Sequence, residues 1–280
     1  MNRRPKTIQI FLPEGSPSSI KIASITSRMI QAIFIPRSQL QKAGKREEVK
    51  QVGIYFLFGK SEDRSKPQVY VGEAENCYDR LLQHHKKKDF WNAAVAVTTK
   101  AKQFTKTDVK FLESHAYRQL EEKKRYEVIN HTVPTQPYVS EPDMADLYDH
   151  FDTIKVLLST LGYPVFEDLK KPKEREIFYC ERAGFVGKGQ YTSEGFVVLS
   201  GTQMPKDTVK SVEGTRIPKV RQRLVEGAIV RDKGDHYLFT ENHLFSSPSA
   251  AASVVLGRSA NGWMEWKDKQ ERTLHELKRQ

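Results

Sequence analysis

Val52-Gly53-Ile54-Tyr55-Phe56-Leu57-Phe58 is a continuous apolar run of strand length. A polar loop, Gly59 to Pro67, separates it from a second strand, Gln68 to Val71, so the two read as a hairpin with an enlarged tip. Asn76 is placed to cap the helix that follows. In that helix Cys77, Leu81 and Leu82 take the inward positions, while Arg80 and His84, four residues apart, share one side. Phe90 to Thr98 reads as a third strand. From Thr107, a second cap, a helix carries Val109, Leu112, Ala116 and Leu120 at helical spacing, with Glu113 at the margin of that apolar stripe. The order β-β-α-β-α, ending near Asn130, describes a compact α/β unit of about one hundred residues.

Outward from this unit, residues 6 to 12, 19 to 24 and 29 to 35 cluster β-formers around the turn Pro13-Glu14-Gly15-Ser16-Pro17 and predict a small antiparallel sheet. Lys42 to Lys50 reads as a charged hinge. On the other side, residues 134 to 149 are acidic and contain prolines, and they lead into an amphipathic helix, Phe151 to Leu161, closed by Gly162. Past Lys170-Lys171-Pro172-Lys173 the pattern changes to strands and turns, such as Ile177 to Cys180 and Gly195 to Ser200. Ser247 before Pro248 marks a helix start and Gly257 its end. An Asn261-Gly262 turn is expected to launch a strand bearing Trp263 and Trp266, two tryptophans expected to pack in a core. The expected organisation is a basic β-rich segment (1–48), an α/β domain (49–140), a helical connector (141–175) and a separate α+β domain (176–280).

A chain of 280 residues is long enough for two modest domains, and 38% hydrophobic with 29% charged residues is the balance of a globular protein. The formal charge of +11 suits a polyanionic partner, and residues 1–50 alone hold 10 Lys and Arg against 3 Asp and Glu. Cys77 and Cys180 are the only cysteines, too few for a disulfide framework, and they lack metal-ligand spacing. With no apolar run of transmembrane length or signal-peptide form, the chain reads as cytoplasmic, with no membrane partner.

Gly53-Ile54-Tyr55, then Tyr70-Val71-Gly72, then Arg80, His84, Glu113 and Asn130, in that order, resemble the GIY-YIG nuclease superfamily over residues 49 to 140. The resemblance implies a metal-dependent endonuclease that hydrolyses DNA phosphodiester bonds. Such chemistry needs an activated water, charge stabilisation on the phosphate and help for the departing oxygen. Tyr55 inherits the role of general base, which a phenol of ordinary pKa about 10 fills only when its neighbours activate it. Tyr70 assists at the same site. Arg80 offers a planar donor fork to a phosphate, and His84 a phosphate contact or proton transfer. Glu113 corresponds to the metal-binding glutamate, for Mg2+ or Mn2+, and Asn130 to a polar position that closes the site by hydrogen bonding. One carboxylate suffices for magnesium, and no second matched acid points to a two-metal mechanism.

Two departures stand out. The interval between the motifs is long, and Glu73 follows Tyr70-Val71-Gly72 where several relatives carry Lys; Lys106 is the candidate to replace that missing cation. The later part of the chain resembles, through Gly195 to Gly201 and Phe245 to Trp266, an uncharacterised domain that often follows this kind of nuclease. The expected partner is DNA, single- or double-stranded, rather than RNA, in repair, restriction or defence against foreign DNA. The rival expectation is a GIY-YIG scaffold that binds nucleic acid without cleaving it.

Overall fold

The computed structural model describes residues 5–60, 66–168, 176–192 and 194–278. The chain is mixed α/β and divides into two compact units, the first built from residues 1–59 and 68–168, the second from 60–67 and 169–280. Most of the expected polar loop, and the Lys170 to Lys173 stretch, lie outside the described residues.

The first unit contains β1 (Ile8–Phe11), β2 (Lys21–Ile25), β3 (Ile30–Pro36), α1 (Leu40–Ala43), β4 (Gly53–Lys60), β5 (Pro67–Ala74), α2 (Cys77–Lys87), β6 (Trp91–Thr99), α3 (Lys106–Lys123), β7 (Glu127–Val128) and α4 (Glu141–Thr160). The predicted β-β-α-β-α order is present as β4-β5-α2-β6-α3. All seven strands form one sheet in the order β1-β2-β3-β6-β4-β5-β7. Strand β4 is central, and its apolar run has no polar side because both faces are covered. Ile54, Phe56 and Phe58 pack with Val109, Leu112 and Ala116 of α3 and Phe151, Ile154 and Leu157 of α4. Tyr55 and Leu57 belong to a second cluster with Ala43 of α1 and Cys77 and Leu81 of α2.

Several sequence boundaries are corrected here. The N-terminal strands are not a separate small sheet. β3 pairs antiparallel with β6 from Ile30 opposite Thr99 to Pro36 opposite Ala93, which joins residues 8–36 to the central sheet. Lys42 to Lys50 is no hinge, since Ala43 and Val49 are buried on either side of its charged residues. Residues 141–168 of the expected connector are likewise part of the first unit. Its helix α4 begins ten residues earlier than expected, capped by the Ser140 hydroxyl on Asp143 N–H, with Pro142 in the first turn where its missing N–H costs nothing. Helix α3 starts at Lys106 rather than after Thr107, because Thr105 and Asp108 form a reciprocal capping box.

The second unit holds β8 (Phe178–Arg182), β9 (Phe185–Thr192), β10 (Gly195–Val198), β11 (Gln203–Pro205), α5 (Arg216–Glu226), β12 (Val230–Asp232), β13 (His236–Phe239), β14 (His243–Phe245), α6 (Pro248–Leu256), α7 (Gly262–Glu265) and α8 (Leu274–Lys278). Its two antiparallel sheets, β14-β10-β9-β8 and β11-β13-β12, contribute to a core with α5 and α6. Ser247 caps α6 and Gly257 ends it in the left-handed conformation, as the sequence predicts. The predicted strand after Asn261-Gly262 is instead the short helix α7: the Asn261 side chain accepts from Trp263 N–H. Gly262 is pressed so close to the Pro248 carbonyl that a Cβ would lie 2.1 Å from it. Trp266 is fully buried, stacks on Phe196 at 4.3 Å and donates its indole N–H to Pro248 O. Trp263 is half-buried against Tyr191. No helix among the described residues is long and apolar enough to cross a membrane.

Candidate active site

Tyr55 and Tyr70 lie on neighbouring strands with their rings stacked, centroids 6.2 Å apart. Gly72, the last residue of the second motif, is what lets them meet: a Cβ there would sit 2.2 Å from the Tyr55 hydroxyl oxygen. The glycine is needed for close approach and not for an unusual φ.

Helix α2 brings the next two groups. The Asn76 side chain accepts from the N–H groups of Tyr78 and Asp79, which fixes where the helix begins. Leu81 anchors it to the sheet, and one helical side then presents Arg80 and His84 to Tyr55. The Tyr55 hydroxyl lies 2.8 Å from His84 Nε2 and accepts from Arg80 Nε at 3.4 Å. Burial, followed by the positive charges of Arg80, Lys88 and Lys87, lowers the His84 pKa to about 4, so its imidazole is neutral near pH 7. Burial raises the Tyr55 phenol far above its ordinary range, and the Tyr70 phenol adds to the rise. Tyr55 therefore keeps its proton. With Arg80 donating to its oxygen, its own O–H meets His84 Nε2 in the tautomer that carries the imidazole proton on Nδ1. The side chain is 0% exposed and in hydrogen-bond contact on both sides.

The outer edge of β5 brings in Asn130 and Glu113. Strand β7 pairs with β5 only at Gln68 and Val69. Beyond that, Ile129 N–H donates to Val69 O at 3.0 Å. The Asn130 amide then takes over as a one-residue strand, accepting from Val71 N–H at 3.1 Å and donating to Val71 O at 2.7 Å. The next donor along that edge, Glu73 N–H, is met by the Glu113 carboxylate. Glu113 rises from α3, on the opposite face of the sheet from α2, and reaches the site at this strand end. Burial, then the charge of Glu73, raises its pKa to about 7, while Arg80 pulls it back down.

Glu113 is thus electrostatically joined to Arg80, and Arg80 is bonded to Tyr55. Tyr55, Tyr70, Arg80, His84 and Glu113 form one connected group, and Asn130 holds the backbone beneath it. Lys106 stands apart: its ammonium pairs with Glu75 at 2.6 Å, and both side chains are exposed. Glu73 stands out in the sequence only as a departure from the motif, and Lys88 is given no role there. Glu73 adds a second acid beside Glu113, signalled only by its place one residue after the second motif. Lys88 sits over the Tyr70 ring, 4.1 Å from its centroid, hidden in sequence inside a run of three lysines.

The donors suit a hard divalent cation. A half-buried carboxylate whose proton is retained to about pH 7 by burial and then by a second acid is in a state that such a cation relieves. Among the described residues no group of three or more His, Cys, Asp and Glu could hold a metal by itself, so substrate and water oxygens would have to complete the shell.

The family model described as "Domain of unknown function (DUF4357)" matches residues 178–278, so the second unit is similar to a domain family whose description states no activity. No curated protein and no solved structure matches the chain. None of these findings indicates a GIY-YIG domain, so the resemblance over residues 49–140 rests on the residues themselves.

Proposed function

We propose that the first unit is a divalent-metal-dependent endonuclease that hydrolyses phosphodiester bonds in DNA, on the GIY-YIG plan that its motifs resemble. The observation that carries this reading is the hydrogen-bonded contact of Tyr55 with both His84 and Arg80. A neutral imidazole, a phenol and a guanidinium in series serve proton transfer beside an anion, and a packing role alone would not require them. Water gives a proton to the Tyr55 oxygen while the phenol passes its own to His84 Nε2, so no free phenolate has to form. The Arg80 fork, whose Nη1 otherwise bonds exposed Gln83, binds the phosphate oxygens as negative charge grows. Glu113, with Glu73 beside it, would hold Mg2+ or Mn2+. When bound, that ion would neutralise phosphate charge as a Lewis acid. Repair, restriction or defence against foreign DNA are the settings such an activity would suit.

Purified protein with Mg2+ or Mn2+ is expected to nick plasmid or single-stranded DNA, and a chelator is expected to stop it. Absence of cleavage under every metal and substrate condition would overturn the reading. A second reading, a nucleic-acid-binding module without turnover, is favoured by the complete burial of the Tyr55 hydroxyl. It would stand if DNA were bound in a salt-sensitive way and never cut.

A further inference from the structure

Lys88 ends α2 as its C-cap, its N–H donating to His84 O at 2.9 Å, and its backbone then turns to an extended conformation. That pinning fixes the root of its side chain relative to His84, one turn earlier. The ammonium rests on the Tyr70 ring, an attraction that holds a flexible side chain in one place. Among the described residues no carboxylate pairs with it. The adjacent Asp89 is engaged instead by Arg37, at 3.2 Å.

Burial, and then repulsion by the nearby Arg80 charge, lowers the Lys88 pKa, and His84 feels both cations. Two like charges held beside the same pair of tyrosines are unfavourable alone and are relieved by an anion. Lys106 offers no such arrangement, since Glu75 already neutralises it.

We propose that Lys88 is the second phosphate-binding cation of this site, positioning the nucleic-acid backbone over Tyr70 and against Arg80. The inference rests on the phosphodiesterase reading above. It assigns to Lys88, on α2, the cationic role that Glu73 leaves vacant on β5.

The test is binding of a labelled single-stranded oligonucleotide by the full chain across a salt series with chelator present, paired with cleavage kinetics in Mg2+. Lys88→Met keeps the hydrocarbon stem and removes the charge. It is expected to weaken binding about tenfold and to reduce the salt slope by about one charge's worth. KM should rise by about the same factor while kcat changes less than about threefold, because a contact made equally in ground and transition states acts on KM. Lys88→Arg is expected to stay within about threefold of wild type, and Lys106→Met to keep the wild-type slope. A merely structural Lys88 would shift thermal unfolding and leave the slope unchanged. If wild type binds and cuts and Lys88→Met keeps its affinity and slope, the inference fails alone. If wild type binds with a Lys88-dependent slope yet never cuts, the inference stands and the nuclease reading fails. If wild type neither binds nor cuts, both fail.

Discussion

Two buried polar clusters, one in each unit, are satisfied in different ways, although Arg125 of the first unit also donates to backbone carbonyls, those of Glu167 and Asp168. In the second, Arg221 is almost wholly buried, and its guanidinium donates to backbone carbonyls: Val254 O at 2.7 Å, Lys206 O at 3.3 Å, and Pro205 O. The Trp266 indole is likewise committed to Pro248 O. In the first unit, buried His84 and Tyr55 are satisfied by each other and by Arg80, whose outer nitrogens reach toward the surface. A side chain bonded to backbone is locked into the fold, because losing it strands a carbonyl that cannot move. Side chains bonded to one another can change partners when a ligand arrives. On the nuclease reading proposed above, that difference makes the contacts around Tyr55 the ones free to rearrange and those of Arg221 and Trp266 the ones that hold the second unit together.

The comparison can be broken at several points. Trp266→Ala is expected to cost the second unit about 3–5 kcal/mol, through the cavity it leaves and the stranded Pro248 carbonyl. Denaturant unfolding checks this, and a cost below about 1 kcal/mol would mean that the core is not centred there. Glu113→Gln and Tyr55→Phe should each lower the cleavage rate by about a hundredfold or more, about 2.7 kcal/mol of transition-state stabilisation, in protein that still folds. Equal rates in wild type and variants would point to a contaminating nuclease.

Arg221→Met and Asn130→Ala are each expected to cost about 1–3 kcal/mol by leaving backbone groups unpaired. Only Asn130→Ala should also slow cleavage, since the Val71 backbone it clamps adjoins Gly72 under Tyr55. If Arg221→Met slowed cleavage as much, the division of labour between the units would be wrong.

The smallest effect concerns pH. Glu113 has its folded pKa raised to about 7, so between its unfolded value of 4.5 and about 7 the folded state binds the extra proton. The stability contribution is present below pH 4.5 and is lost as pH rises through about 7. Glu113→Gln should therefore match wild type in thermal unfolding at low pH and exceed it at pH 8. Binding of Mg2+ needs the carboxylate, so wild-type affinity should strengthen as pH rises through about 7. A pH-independent affinity would remove Glu113 from the metal site.

Much of this was legible because it is local. Asn76 and Ser247 cap helices through bonds within a few residues of themselves, Gly257 ends one by its own left-handed backbone, and the apolar spacing of Val109, Leu112, Ala116 and Leu120 directs α3 without reference to the rest of the chain. The misreadings came where distant chain decides. Residues 29–35 read as their own sheet because nothing near them mentions Thr99, with which Ile30 pairs. Asn261-Gly262 read as a turn that launches a strand because the constraint on Gly262 is the Pro248 backbone, reached only through the fold.

For the site, the order of motif residues was enough to nominate Tyr55, Tyr70, Arg80, His84, Glu113 and Asn130, since their residue types and helical spacing are properties of the chain itself. Their electrical state was not. That His84 is neutral, that Tyr55 keeps its proton, that Glu113 is coupled to Glu73, and that Lys88 and not Lys106 sits on the Tyr70 ring all depend on burial and on distances between remote elements. Residue type determines which charges a chain can carry. Only packing decides which of them lose water and which face one another, because desolvation and Coulomb energy follow separation in space, and sequence distance does not measure it.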